Sequence, residues 1–142
     1  MKISARNMLQ GKVASVKKGA INAEVALALP GNHTIIAVIT NESLEKLGLT
    51  AGVEAYALVK APLVIITTDI QGMKFSTRNV LEGTVKKVTH GTVNSEVSLE
   101  LAGGIILSAI ITEQSIESIG LKVGDKASAL FKASSVILAV KG

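Results

Sequence analysis

Gly19-Ala20-Ile21-Asn22-Ala23-Glu24-Val25 returns seventy-two residues later as Gly91-Thr92-Val93-Asn94-Ser95-Glu96-Val97. The same offset aligns Ser4-Ala5-Arg6-Asn7 with Ser76-Thr77-Arg78-Asn79, Ile39-Thr40 with Ile111-Thr112, Gly48-Leu49 with Gly120-Leu121, and Lys60-Ala61 with Lys132-Ala133. About 30 of the 66 positions from Lys2 to Thr67 match their counterparts without a gap, where unrelated segments share only a few. The chain is a duplicated module, and that repeat governs any reading of the fold. Modules are expected at residues 2–68 and 74–141, joined by Asp69-Ile70-Gln71-Gly72-Met73. A module this small buries a limited share of its surface. With no cysteine to staple it, each module is expected to bury surface against others, within the chain and between chains.

Working outward, the pattern within a module is mostly strand. Val25, Leu27 and Leu29 alternate with Glu24, Ala26 and Ala28, and Val97, Leu99 and Leu101 with Glu96, Ser98 and Glu100, the period of a half-buried strand. Before this lies a strand from Met8 to Val16, interrupted by Gly11 as at a bulge or bend. Pro30-Gly31-Asn32 and Ala102-Gly103-Gly104 read as hairpin turns into strands at Thr34–Thr40 and Ile105–Thr112. Asn41–Leu47 reads as a short helix stopped by Gly48, with Glu42 in its first turn; the second copy carries Glu113 there, each suited to the positive end of the helix dipole. Strands at Val53–Lys60 and, after a corner at Ala61-Pro62, at Leu63–Thr67 complete the module. Five strands with a helix between the third and fourth predict a mainly β chain of two tandem OB-like five-stranded barrels, each with one short helix.

Composition narrows the function. The chain is 48% hydrophobic but only 2% aromatic, so its core is built from Val, Ile, Leu and Ala. No apolar run approaches the roughly 20 residues that span a bilayer, and no basic-then-apolar signal segment follows Met1-Lys2-Ile3; a cytoplasmic protein without a membrane partner is the expectation. The formal charge of +4 is spread along the chain, permitting anionic partners without a polyanion track. His33 and His90 do not occupy equivalent positions, so neither reads as a duplicated catalytic or metal ligand, and each is expected at a surface turn. Without cysteine or a histidine pair at ligand spacing a zinc site is unsupported, and neither glycine-rich phosphate-loop pattern occurs. Glu24 and Glu96 recur, but one acid per module makes no general acid/base pair, and a carboxylate on a half-exposed strand reads as structural or solvated. Single-strand nucleic-acid binding on an OB barrel needs aromatic platforms, and Tyr56, Phe75 and Phe131 are all there is. The chain is therefore read as no enzyme and no nucleic-acid binder.

Three recurring polar spots remain. The first is Ser4, Arg6 and Asn7 with the copies Ser76, Thr77, Arg78 and Asn79. The second is the corner Lys60-Ala61-Pro62, copied as Lys132-Ala133-Ser134. The third is the turn Gly19, Ile21 and Asn22, copied as Gly91, Thr92, Val93 and Asn94. Hydroxyls, amides, turn backbones and one cation per motif supply the converging donors that a compact oxyanion needs. The alternative is that they only cap strand ends and shape turns.

In combination, Ser4-Ala5-Arg6-Asn7 with Gly11, the Gly19–Val25 stretch and Lys60-Ala61 resemble the Mop domain of the molbindins, cytoplasmic molybdate-binding proteins. The resemblance covers both halves and looks like a tandem, two-domain member. It implies an OB-like barrel per module and a ring of six modules, hence a homotrimer for a tandem chain. Molybdate or tungstate would be the bound ligand, held between modules, with no further cofactor. Ser4, Arg6, Asn7, Lys60, Ala61 and Pro62 would line one set of sites, and Ser76, Thr77, Arg78, Asn79, Lys132, Ala133 and Ser134 the other. The Gly19–Asn22 and Gly91–Asn94 turns would close a neighbouring or axial site. The implied role is storage of the anion; a molybdate-sensing accessory module is the alternative, and an OB-type nucleic-acid binder a more distant one. Ala5, Ala20 and Pro62 become Thr77, Thr92 and Ser134 in the second copy, so the two sets of sites need not be equivalent. A dianion without a proton suits a lining made only of donors, and its separation from sulfate then depends on size.

Overall fold

A computed structural model describes residues 3–142; Met1 and Lys2, the latter opening the first expected module, lie outside the described residues. In the first half, β1 (Asn7–Lys18), β2 (Asn22–Leu29) and β3 (His33–Thr40) form an antiparallel meander. Helix α1 (Asn41–Leu47) follows, then β4 (Glu54–Val59), a 3₁₀ turn at Ala61–Leu63, and β5 (Ile65–Thr67). The second half repeats this as β6 (Val80–Thr89), β7 (Asn94–Leu101), β8 (Ile106–Thr112), α2 (Glu113–Ile119), β9 (Lys126–Leu130), a 3₁₀ turn at Ala133–Ser135, and β10 (Ile137–Ala139). The architecture is the expected one, mainly β with two five-stranded OB-like units and one short helix in each.

Local chemistry explains the punctuation. The Thr40 hydroxyl accepts from Ser43 N–H at 3.1 Å and opens α1, while Gly48, left-handed at φ 64°, closes it. Thr112, Ser115 and Gly120 do the same for α2, the capping expected of short helices whose ends carry unpaired backbone groups. Gly11 is not the bulge that its interruption of the strand suggested. The register slips between Val13 and Ser15, and in the second half between Val85 and Lys87. A Cβ at Gly11 would sit 2.3 Å from the Ala28 carbonyl oxygen, so this glycine permits close passage of the neighbouring strand.

The sheets are not the two sequence repeats. One runs β10-β4-β1-β2-β3 and the other β5-β9-β6-β7-β8. Each repeat lends its last strand to the other: Ile65, Ile66 and Thr67 pair with Leu130, Ala129 and Ser128, and Ile137, Leu138 and Ala139 with Leu58, Ala57 and Tyr56. The exchanged strands bring apolar side chains with them, and Ile66 and Leu138 are each 6% exposed. Val25, Leu27, Ile35 and Val59 of one half and Val97, Leu99, Leu107 and Phe131 of the other belong to one continuous core. The hairpin turns also meet directly, since a Cβ at Gly31 would fall 2.2 Å from the Ala102 carbonyl oxygen. The 3₁₀ turn of each half packs against the third strand of the other, Ala61–Leu63 on β8 and Ala133–Ser135 on β3.

Candidate functional site

Antiparallel pairing of β6 with β9, Val80 opposite Leu130, puts the start of one strand beside the end of the other. Residues 76–78 and 132–134 thereby meet at one end of the sheet although more than fifty positions separate them. The exchanged geometry supplies the facing wall from the first half. The result is a cleft of about 310 Å³ lined by Ser76, Thr77, Arg78, Lys132, Ala133 and Ser134 on one side and by Glu24, Ile36 and Val38 on the other. In the first half Asn7 lies opposite Val59, so the segment ending at Arg6 and the corner beginning at Lys60 occupy the equivalent relation. Arg6 reaches across to Glu96, Nη1 to Oε2 2.7 Å, as Arg78 reaches Glu24.

The side chains have different employments. Asn79 is fully buried: its Nδ2 donates to the Ile36 carbonyl and its Oδ1 accepts from the Ile36 N–H, both at 2.8 Å. Asn7 makes the same pair of bonds to Ser108 of the second half. These two amides bolt the start of each repeat to the third strand of the other. The Thr77 hydroxyl is also engaged, donating to the Phe131 carbonyl at 2.7 Å and accepting from Asn79 N–H at 3.1 Å. Ser4, Ser76, Pro62 and Ser134 are exposed, Ala61 is buried and Ala133 half-buried. Lys60 and Lys132 are exposed and make no ion pair among the described residues.

The Gly19–Asn22 and Gly91–Asn94 turns stand apart from the cleft. Asn22 borders an adjoining groove of about 360 Å³ that shares Val38 and Ser134 with the cleft. Thr92 and Val93 border a depression beside Thr112 and Glu113. Ile21 and Val93 are 76% and 71% exposed. Gly19 N–H donates within the turn to the Asn22 carbonyl, whereas Gly91 N–H donates to the Ser95 hydroxyl. Ser95 in turn donates to Glu113, which also receives His90 Nδ1 at 2.5 Å. The Ser95 bond, then the His90 bond, holds the Glu113 carboxyl below its ordinary range. His33 bonds the Ala102 carbonyl at the paired hairpins.

Sequence reasoning set Glu24 and Glu96 aside as structural or solvated strand residues and did not single out Ile36 or Val38. The signal for the glutamates was their recurrence in both copies; which residue each faces depends on the exchange. The cleft is consequently not made of donors alone, because a carboxylate stands on its wall. With Arg78, Lys132, serine hydroxyls and that carboxylate, the arrangement suits reversible capture of a small anion. Among the described residues no three His, Asp or Glu side chains cluster closely enough to hold a metal ion. Tyr56 and Phe131 are buried, leaving Phe75 as the exposed ring.

The TOBE domain family model matches residues 3–66 and again 76–138. The chain belongs to the TOBE family. This tandem TOBE protein superposes on the crystal structure of the cytoplasmic molybdate-binding protein ModG, grown with molybdate bound, with a TM-score of 0.96 and 49% identity over 99% of this chain and 100% of that one. It is 44% identical to the molybdenum-pterin-binding protein MopA of Rhodobacter capsulatus over 99% of its own length and 53% of the relative's. One half is 47% identical to molybdenum-pterin-binding protein 1 of Clostridium pasteurianum, covering 46% of this chain and 97% of that protein. The tandem TOBE chain spans about half the length of the curated relatives that it matches end to end. The resemblance to Mop-domain proteins read from the motifs therefore holds.

Proposed function

We propose that this protein binds molybdate, and tungstate by the same chemistry, and stores or buffers it in the cytoplasm without catalysing a reaction. The observation that carries the reading is the end-to-end superposition on molybdate-bound ModG at 49% identity, in a chain whose cleft gathers Arg78, Lys132, Ser76 and Ser134 from distant segments. A tetrahedral dianion accepts hydrogen bonds on every oxygen, and the ammonium of Lys132 with adjacent hydroxyls and guanidinium offers charge-assisted partners. Among the described residues Lys132 makes no ion pair, so its charge is offered to a ligand without breaking a bridge seen there. By the same reasoning Ser4, Arg6, Lys60 and Ala61 form the equivalent set, and the Gly19–Asn22 and Gly91–Asn94 turns contribute where chains meet.

The assembled form is a homotrimer of six modules. Exposed apolar side chains at repeated positions, Ile21 with Val93 and Ile65 with Ile137, support burial between chains. The repeats at 2–68 and 74–141 remain the inherited modules, each completed by a strand of the other. Calorimetric titration with molybdate, repeated in excess sulfate, tests the reading. Binding at several sites per assembly that sulfate does not abolish is the expected result. No heat with molybdate, or equal displacement by sulfate, overturns it.

A further inference from the structure

Both halves place a glutamate where an incoming anion needs a cation. Arg78 is held by Glu24, and Arg6 by Glu96, each pair crossing from one repeat to the other. The glutamates occupy equivalent register positions, Glu24 opposite Val38 and Glu96 opposite Ile110, and both have survived in copies that otherwise differ at more than half of their positions. Glu24 lines the cleft itself, together with Arg78 and Lys132. The contacts are not buried: the arginine side chains are each 59% exposed and the glutamates 37% and 29%. Exposed pairs of this kind contribute little to stability, and the Asn7 and Asn79 amides already lock the same segments in place, so an anchoring role for the glutamates is redundant.

We infer that Glu24 and Glu96 are resident counter-ions of the anion sites: each carboxylate occupies its arginine in the empty protein and is displaced from it when the oxyanion enters. The inference rests on the oxyanion-binding reading above and deepens it by assigning residues that tune affinity. Geometry and charge carry it. A carboxylate on the wall of the cleft repels a dianion directly, and it also ties up the guanidinium that the dianion would use. Arg78, Lys132 and Glu24 leave the cleft a net single positive charge, while removing the carboxylate leaves two. The glutamate thus keeps binding weaker than the donors alone would allow, which favours release when the free anion falls.

The sign of one substitution separates this role from a positioning role. Glu24→Gln keeps size and one acceptor but removes the charge. As a displaced counter-ion, it leaves a variant that binds molybdate about two- to fivefold more tightly, the range set by the strength of exposed ion pairs. A residue that merely aims Arg78 gives unchanged or weaker binding in the same titration, and either result overturns the proposal. Glu96→Gln carries the same prediction for the other set, independently of whether the first variant folds. A crystal structure of the unmutated protein with molybdate gives a second readout: Arg78 turned from Glu24 onto the anion supports the inference, and an intact pair beside a bound anion refutes it. If the unmutated protein binds no molybdate, the functional reading itself fails and this proposal with it, a pattern distinct from normal binding that Glu24→Gln does not tighten.

Discussion

At the scale of single residues, the repeated Ser-x-Arg-Asn motif divides its labour. Asn79 is a structural bolt, so Asn79→Ala leaves the part-buried Ile36 N–H and carbonyl without their partner and costs about 1–3 kcal/mol, measured by urea denaturation. Lys132 holds nothing together, so Lys132→Ala leaves that denaturation curve in place while weakening molybdate binding in calorimetry. Equal loss of stability in both variants would contradict the division. Glu113 gives a pH-dependent contrast. Its folded pKa lies below the ordinary 4.5 because Ser95, then His90, bonds its carboxylate. Its contribution is therefore complete above the unfolded value and is lost as pH falls through the lower, folded value. Glu113→Gln is expected to be less stable than the unmutated chain at neutral pH, with the difference shrinking below 4.5; a constant difference across that range would exclude the mechanism.

At the scale of elements, much was legible because the signals are local. Thr40 and Gly48 bracket α1 by capping chemistry that depends only on neighbours in sequence, and the alternation of Val97, Leu99 and Leu101 fixes which face of β7 is buried. Gly11 reads from the sequence as a bulge or bend, yet the register slips after it, between Val13 and Ser15; a strand glycine marks either a kink or a close approach, and only the position of the Ala28 carbonyl separates them. The turn glycines carry a similar lesson. Gly31 adopts φ 80° with the Ala102 oxygen at the place of its missing side chain. Gly31→Ala thus combines a left-handed strain of about 1–2 kcal/mol with a clash between halves, and a lowered melting temperature by calorimetry is the expected outcome. Gly52→Ala shares the positive φ but meets nothing nearby, so it should cost less.

For the whole molecule, the exchange of β5 and β10 was illegible for a definite reason. β5 and β10 both begin with isoleucine, at Ile65 and Ile137, and both bury an aliphatic residue next, Ile66 or Leu138, so each strand satisfies the pairing and burial demands of either sheet, and no pattern along the chain distinguishes them. The candidate site inherits that blindness: Arg78 and Lys132 were found through repetition, but Glu24 became its neighbour only through the crossed architecture. A single repeat cannot complete its own sheet in this way, so residues 1–72 expressed alone are expected to assemble in even-numbered oligomers, each copy lending its last strand to another. Light scattering on the eluted species checks this, and a stable monomer at micromolar concentration would contradict it.

The crossed strands also separate covalent continuity from physical integrity. The segment between Thr67 and Val80 is the sole covalent tie between the repeats, yet each repeat keeps a strand woven into the other's sheet on either side of it. A protease that nicks the chain near Gly72 would therefore yield two fragments on a denaturing gel but one particle in native solution, with its clefts whole. On the proposed storage role, such a cut would not spill the anion.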